Sequence, residues 1–337
     1  MVETSDEWIR ERTGIGERHV SVGETVVTLA SEAARKALEQ AGKRAEEIDL
    51  ILVATCSPEQ YLPCCACQVQ AAIGAVNALA FDVNAACSGF LFALNTADAY
   101  LRTGLAENAL VIGSEVLSKL VDWTDRGSCI LFGDGAGAVV VERCRTESRA
   151  VEYSNALPET EKGMQETAEE KRIPAAGILG RALHSDGTGG GVLQCGAREL
   201  TTPYARTSAA KTDQKQQTDD REHYIQMDGQ EVYRFATRRV PQCIEEALAD
   251  AGLAVPDIDM FVLHQANARI IDAVAKRLHA DRDKFPTNLE RVGNMSSASI
   301  PVLLDELNRQ RKLHRGDRVV LAGFGAGLTI GACVMTW

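Results

Sequence analysis

Apolar positions along the chain alternate between two periods. Ala80-Phe81-Asp82-Val83 reads as a short strand, and just beyond it Leu91, Leu94, Ala97 and Leu101 recur at helical spacing. Further short apolar runs at Ala138 to Val141, Ile178 to Leu183 and Ile258 to Leu263 read as strands between helical stretches. Such alternation implies mostly parallel sheets covered by helices, an α/β protein. The chain opens with Thr4-Ser-Asp-Glu7, which predicts a capping box for a helix containing Trp8.

The pattern repeats itself at an offset of 210 residues. Ala37-Leu38-Glu39-Gln40-Ala41-Gly42 recurs as Ala247-Leu248-Ala249-Asp250-Ala251-Gly252, and each helix-ending glycine is followed by an Ile-Asp pair, Ile48-Asp49 or Ile258-Asp259, and an apolar run. The same offset pairs Asn84 with Asn294, Cys87 with Ser297, and Val111-Ile112-Gly113 with Leu321-Ala322-Gly323. Each half reads helix, strand, helix, strand, helix, strand, strand. Two such halves suggest a five-layer αβαβα stack with the sites between them. The segment Ile178 to Leu183 adds an opening strand to the second half, giving βαβαβαββ, and its counterpart would precede Met1. The first half is therefore expected to lack its opening strand, as a misplaced start or a truncation would produce.

These boundaries divide the chain into a first half, residues 1–142, a connecting region with insertions and the second half's first strand, residues 143–227, and a second half, residues 228–337. Within the connection, residues 143–176, rich in Glu, Lys and Thr, and residues 203–223 read as exposed loops.

Composition narrows the function class. A formal charge of −11 disfavours a nucleic-acid partner, and no apolar run approaches the roughly 20 residues a membrane helix needs. Ten cysteines are scattered through apolar runs with no signal peptide at the start, which fits a reducing cytoplasm better than a disulfide framework. Cys64, Cys65 and Cys67 contain a C-x-x-C, but no second pair or nearby histidine completes a zinc set, so they read as helix packing and no metal is expected. Phe132-Gly-Asp-Gly-Ala-Gly137 lacks the spacing of a dinucleotide fingerprint and is followed by a strand.

The candidate chemistry lies where strands end. Asn84-Ala-Ala-Cys87-Ser-Gly-Phe90 places Cys87 at a helix start, where the helix dipole favours a thiolate and free backbone N–H groups can meet an oxyanion. The strand Ile258 to Leu263 delivers His264-Gln-Ala-Asn267 to a cleft at its carboxyl end. Asn294 lies in Arg291-Val-Gly-Asn-Met-Ser-Ser-Ala-Ser299, a loop entering another helix, and is the duplicate of Asn84. The duplication thus brings Cys87, His264 and Asn294 near the pseudo-twofold axis.

Ala-Ala-Cys87-Ser-Gly-Phe, His264-Gln-Ala-Asn-Ala-Arg-Ile and Gly293-Asn294-Met-Ser-Ser-Ala-Ser resemble the three catalytic segments of the β-ketoacyl-acyl carrier protein synthase III family, of thiolase fold. The resemblance extends to Ser5-Asp-Glu-Trp-Ile, Thr13-Gly-Ile-Gly-Glu-Arg18, Thr124-Asp-Arg-Gly127 and Phe324-Gly-Ala-Gly327. It implies that Cys87 takes an acyl group from acyl-CoA, with the oxyanion held by the N–H groups of Cys87 and of Ala326, where the family usually has Gly. It implies that His264 and Asn294 stabilise the enolate formed when malonyl-acyl carrier protein loses CO2, with no metal or redox cofactor. Trp8 and Arg126 match positions that clamp the CoA adenine, Leu62 matches an acyl-pocket position, and Arg234, Arg269 and Lys276 match a carrier-protein docking patch. A homodimer is the family expectation. Related polyketide-type or quinolone-type condensing enzymes share the same triad, and an inactive truncated paralogue is the alternative outside catalysis.

Overall fold

The computed structural model describes residues 2–144, 177–196 and 223–337. The loops expected over 143–176 and 203–223 lie outside the described residues apart from their ends.

In the first half, α1 (Asp6–Thr13) is followed by α2 (Val26–Ala41), β1 (Leu50–Ala54), α3 (Cys65–Ile73), β2 (Leu79–Val83), α4 (Gly89–Thr103), β3 (Asn108–Glu115) and β4 (Gly135–Glu142). Ser5, not Thr4, caps α1: its side chain accepts from the Trp8 N–H at 3.2 Å. The box moves by one residue because the N–H that needs a partner at this helix start belongs to residue 8. The second half contains β5 (Gly177–Ser185), the short pair β6 (Leu193–Cys195) and β7 (Ile225–Met227), α5 (Gly229–Ala251), β8 (Met260–Leu263), α6 (Ala268–Arg277), α7 (Leu289–Val292), α8 (Ser299–Arg309), β9 (Arg318–Gly325) and β10 (Thr329–Thr336).

The sequence offset survives as geometry. Helices α2 and α5 end at Gly42 (φ 64°) and Gly252 (φ 68°), left-handed positions that glycine adopts without a Cβ penalty. Strands β1 and β8, β3 and β9, and helices α4 and α8 begin 210 residues apart. The first sheet runs β2-β1-β3-β4 and the second β5-β10-β9-β8, parallel at β1/β2, β1/β3 and β8/β9 and antiparallel where β4 and β10 return. Strand β10 pairs with β9 and β5, whereas β4 pairs only with β3 among the described residues.

The second half departs from the expected pattern at one point, since no strand lies between α6 and α8 among the described residues. Pro286 has no N–H to give a ladder. Phe285 instead stacks on Phe261 with ring centroids 4.6 Å apart.

Three cores build the five layers. α2 and α3 cover one face of the first sheet through Ala30, Ala34, Val69 and Ile51. α4 and α8 fill the space between the sheets with Phe90, Leu91, Leu94, Ile300, Leu303 and Leu304. α5 and α6 cover the outer face of the second sheet through Ile244, Leu248, Ile271 and Val274. Each fully buried Leu, Ile or Phe side chain contributes roughly 1.5–3 kcal/mol relative to exposure. The middle layer makes each half depend on the other, and its helix starts carry the site.

Candidate active site

Ala86–Ser88 and Ser296–Ala298 are single 3-10 turns leading into α4 and α8. The duplicate residues Ala86 and Ser296 both hold left-handed backbone, φ 46° and 48°, which a non-glycine residue adopts only when its surroundings impose it. The first turn packs against the end of β9. A Cβ at Gly325 would come within 2.6 Å of the Cys87 backbone N, so only glycine lets the strand approach the nucleophile this closely. Two residues earlier on β9, a Cβ at Gly323 would meet the Cβ of His264 at 3.4 Å, so one strand face carries both the histidine and the cysteine.

His264 ends β8: its N–H donates to the Ala322 carbonyl at 2.8 Å, and its ring meets Phe324 edge-on at 5.7 Å between centroids. Asn294 is clamped by the first half, donating its N–H to Leu131 O and accepting from Gly133 N, both at 2.9 Å. Its Oδ1 accepts from the Ser296 N–H at 2.9 Å, which leaves its Nδ2 group as the donor for a ligand. The turn that begins at Ser296 packs against the turn that holds Cys87, and Ser296 acts to lower the Cys87 thiol. Cys87 and His264 thus meet the end of β9, and Asn294 stands at the start of the Ser296 turn that packs against the Cys87 turn.

Burial governs the electrostatics. It lowers the His264 pKa to about 3, so the imidazole is neutral at physiological pH. Burial also pushes the Cys87 thiol up to about 12, with Ser296 and the Cys87 backbone N–H opposing the rise and Glu115 adding to it. Burial therefore works against the thiolate expected at the helix start, since desolvating an anion raises its pKa.

Comparison with known proteins gives this cluster its context. Residues 248–337 match the model of the 3-oxoacyl-[acyl-carrier-protein] synthase III C-terminal region, and residues 81–156 match the synthase III model. A β-ketoacyl-[acyl-carrier-protein] synthase III of Clostridium acetobutylicum is 44% identical over 337 residues, covering 100% of this chain and 92% of that protein. The chain belongs to the β-ketoacyl-acyl carrier protein synthase III family. A solved synthase III of Aquifex aeolicus aligns with a TM-score of 0.83 at 37% identity, over 100% of this chain and 92% of the other. The priming β-ketosynthase of the R1128 polyketide pathway aligns with a TM-score of 0.80 at 32% identity, over 99% of this chain and 89% of the other. The fold is the thiolase fold, and the chain is an acyltransferase of the condensing class.

The remaining positions singled out by the motifs lie partly buried or exposed at the surface. Trp8 carries two guanidinium groups, with Arg126 at 4.8 Å and Arg12 at 4.7 Å from its ring centroid, so Arg12 joins the pair that the motifs alone singled out. Arg12 was legible only as the residue four positions after Trp8 on a helix. Arg234 on α5 and Arg269 and Lys276 on α6 are all exposed, on two helices that pack together through the outer core. Arg269 also donates to Glu11 O at 3.0 Å, which ties α6 to α1.

Ala326 is not among the residues with positive φ, so alanine carries no left-handed strain there. Leu62 is 85% exposed on the surface of the single chain and is not brought to Cys87. Three groups at the site were given no role by the motifs, although Ser296 and Gly325 lie inside two of them. Ser296 acts on the Cys87 thiol and donates to Asn294, Gly325 makes room for the turn, and Glu115 lies fully buried behind it.

Proposed function

We propose that this chain condenses an acyl-CoA with malonyl-acyl carrier protein to give a β-ketoacyl-carrier protein, initiating fatty acid synthesis. The observation that carries the reading is the meeting of Cys87 and neutral His264 at one glycine-bearing strand end, with Asn294 at the start of the adjoining turn. The Cys87 sulfur attacks the acyl-CoA carbonyl, and the oxyanion is met by the N–H groups of Cys87 and Ala326. Collapse expels CoA as its thiol, which takes the proton from Cys87. When malonyl-carrier protein follows, loss of CO2 leaves an enolate whose oxygen accepts from His264 and Asn294; the neutral imidazole is the form that can donate without needing to be charged. The carbanion attacks the acyl carbonyl on Cys87, forming the carbon-carbon bond as the acyl C–S bond breaks and Cys87 leaves as a thiolate that takes a proton from water.

Departure of CO2 drives bond formation, so the scheme calls for no metal or redox cofactor. The Trp8 and Arg126 stack is the proposed adenine site of acyl-CoA, and Arg234, Arg269 and Lys276 dock the acidic carrier protein. We assign a homodimer in which exposed Tyr61 and Leu62 are covered by the second copy, so that Leu62 reaches an acyl pocket only across that interface. All ten cysteines are free, which supports a reducing compartment, the cytoplasm. No helix among the described residues is long and apolar enough to cross a membrane.

Likeness to a priming polyketide synthase at 32% identity favours one second reading, the same condensation starting a polyketide. The test is a panel of acyl-CoAs with malonyl-acyl carrier protein, followed by intact mass with Cys87→Ala alongside. A β-ketoacyl mass on the carrier that depends on Cys87 is expected and names the primer. Acylated Cys87 without condensation would point to a different extender, and no acylation would overturn the reading.

A further inference from the structure

One buried acid at the site has no part in the proposed chemistry. Glu115 closes β3 with 0% exposure. Its carboxylate accepts from the hydroxyls of Ser57 at 2.6 Å, Ser297 at 2.8 Å and Thr55 at 3.2 Å, and from the Cys56 N–H at 3.1 Å. The Cys56 thiol also donates to it, with sulfur 3.5 Å from each carboxylate oxygen. Cys56 Sγ lies 4.0 Å from the Ser296 Oγ, and the Ser296 turn packs against the turn that holds Cys87. Two thiols therefore stand by one turn, and only one of them is to take the acyl group.

We propose that Glu115 is a positioning residue that keeps Cys56 protonated and, through Ser297, holds the Ser296 turn against Cys87, so that Cys87 alone is acylated. The proposal rests on the assignment of Cys87 as nucleophile. Burial raises the Glu115 carboxyl above its ordinary value and the Ser57 and Ser297 hydroxyls and the Cys56 N–H oppose that rise; once ionised, its charge within hydrogen-bond reach of Cys56 opposes a second one there. Burial first and Glu115 second hold the Cys56 thiol well above its ordinary value. Burial raises Cys87 too, to about 12, but Cys87 makes no direct bond to Glu115 and its own N–H opposes the rise. Ser297 uses its one proton on Glu115 or on Ala54 O, at 2.8 Å each, so the carboxylate fixes the turn that also aims Asn294.

The test is alkylation by iodoacetamide from pH 7 to 10, read at each cysteine by site-resolved mass spectrometry, in the native protein and in Glu115→Gln and Glu115→Asp. In the native protein Cys87 should react at least about tenfold faster than Cys56. In Glu115→Gln the Cys56-to-Cys87 ratio should rise about tenfold, with both thiols reacting at lower pH and kcat for condensation falling about tenfold. Glu115→Asp keeps the charge and should restore the native ratio. Equal labelling of the two thiols in the native protein overturns the proposal even if Glu115→Gln does not fold. An unchanged ratio and pH profile in a folded Glu115→Gln also overturns it. No reaction at Cys87 in the native protein overturns the nucleophile assignment itself.

Discussion

The two halves contain the same turn, and only one is proposed as the site. Ala86-Cys87 and Ser296-Ser297 share a left-handed residue, a 3-10 turn and a helix start, each set against the other half. The difference lies in what each turn faces. Cys87 meets Gly325 and the His264 segment, whereas Ser297 meets their duplicates, Glu115 and Ala54, and bonds to both. A glycine and a histidine leave the first turn room and a donor, while a carboxylate and a carbonyl saturate the second. Duplication supplied two equivalent backbones, and the residues opposite them decided which could do chemistry.

The comparison breaks most completely if the glycine is lost. Gly325→Val should abolish acylation and Gly325→Ala should lower it about 100-fold, since a Cβ would displace the Cys87 turn by a distance that matters at this level for a positioned nucleophile. Single-turnover acylation from acyl-CoA measures this. The reciprocal change, Gly113→Ala, should instead cost stability, about 1–3 kcal/mol by denaturant titration, because its Cβ would meet the Ser297 carbonyl at 2.3 Å. If the second turn is chemically silent, Ser297→Cys in a Cys87→Ala background should give no β-ketoacyl product; recovered turnover would show the turns to be interchangeable.

Titration separates the two turns next. With Cys87 pushed up to about 12, its thiolate fraction rises about tenfold per pH unit, so acylation should climb through pH 6 to 9 with that slope. Decarboxylation of malonyl-carrier protein should stay flat over the same range, because His264 is neutral throughout. Below about pH 6 the unfolded chain gains a proton that buried His264 refuses. Stability from this residue should therefore fall by about 1.4 kcal/mol per unit down to about pH 3, and His264→Leu should remove that slope.

The smallest effect is expected farthest from the axis. Arg269→Glu should weaken carrier-protein binding about tenfold at low salt with little change in Cys87 acylation; unchanged affinity would remove α6 from the docking surface.

Much of this was open to reading before any coordinates. Helix-ending Gly42 and Gly252, the strand runs after Ile48-Asp49 and Ile258-Asp259, and the pairing of Asn84 with Asn294 all follow from local pattern at one offset. The expected strand between α6 and α8 failed because Pro286 and the Phe285–Phe261 stack satisfied that segment in another way. Leu62 failed to reach a pocket in the single chain because a family position records a residue type and not which surface covers it.

The sequence by itself determined the periodicity, the duplication and the identities of Cys87, His264 and Asn294, because each is written in short stretches of neighbouring residues. Only the tertiary structure decided that Gly325 abuts Cys87, that Ser296 approaches Cys56, and that Glu115 stands behind Cys56. The Glu115–Cys56 contact spans 59 positions of sequence and the Cys56–Ser296 contact 240. The balance between burial and hydrogen bonding that sets the Cys87 thiol is fixed by how two halves close on each other, which no local pattern encodes.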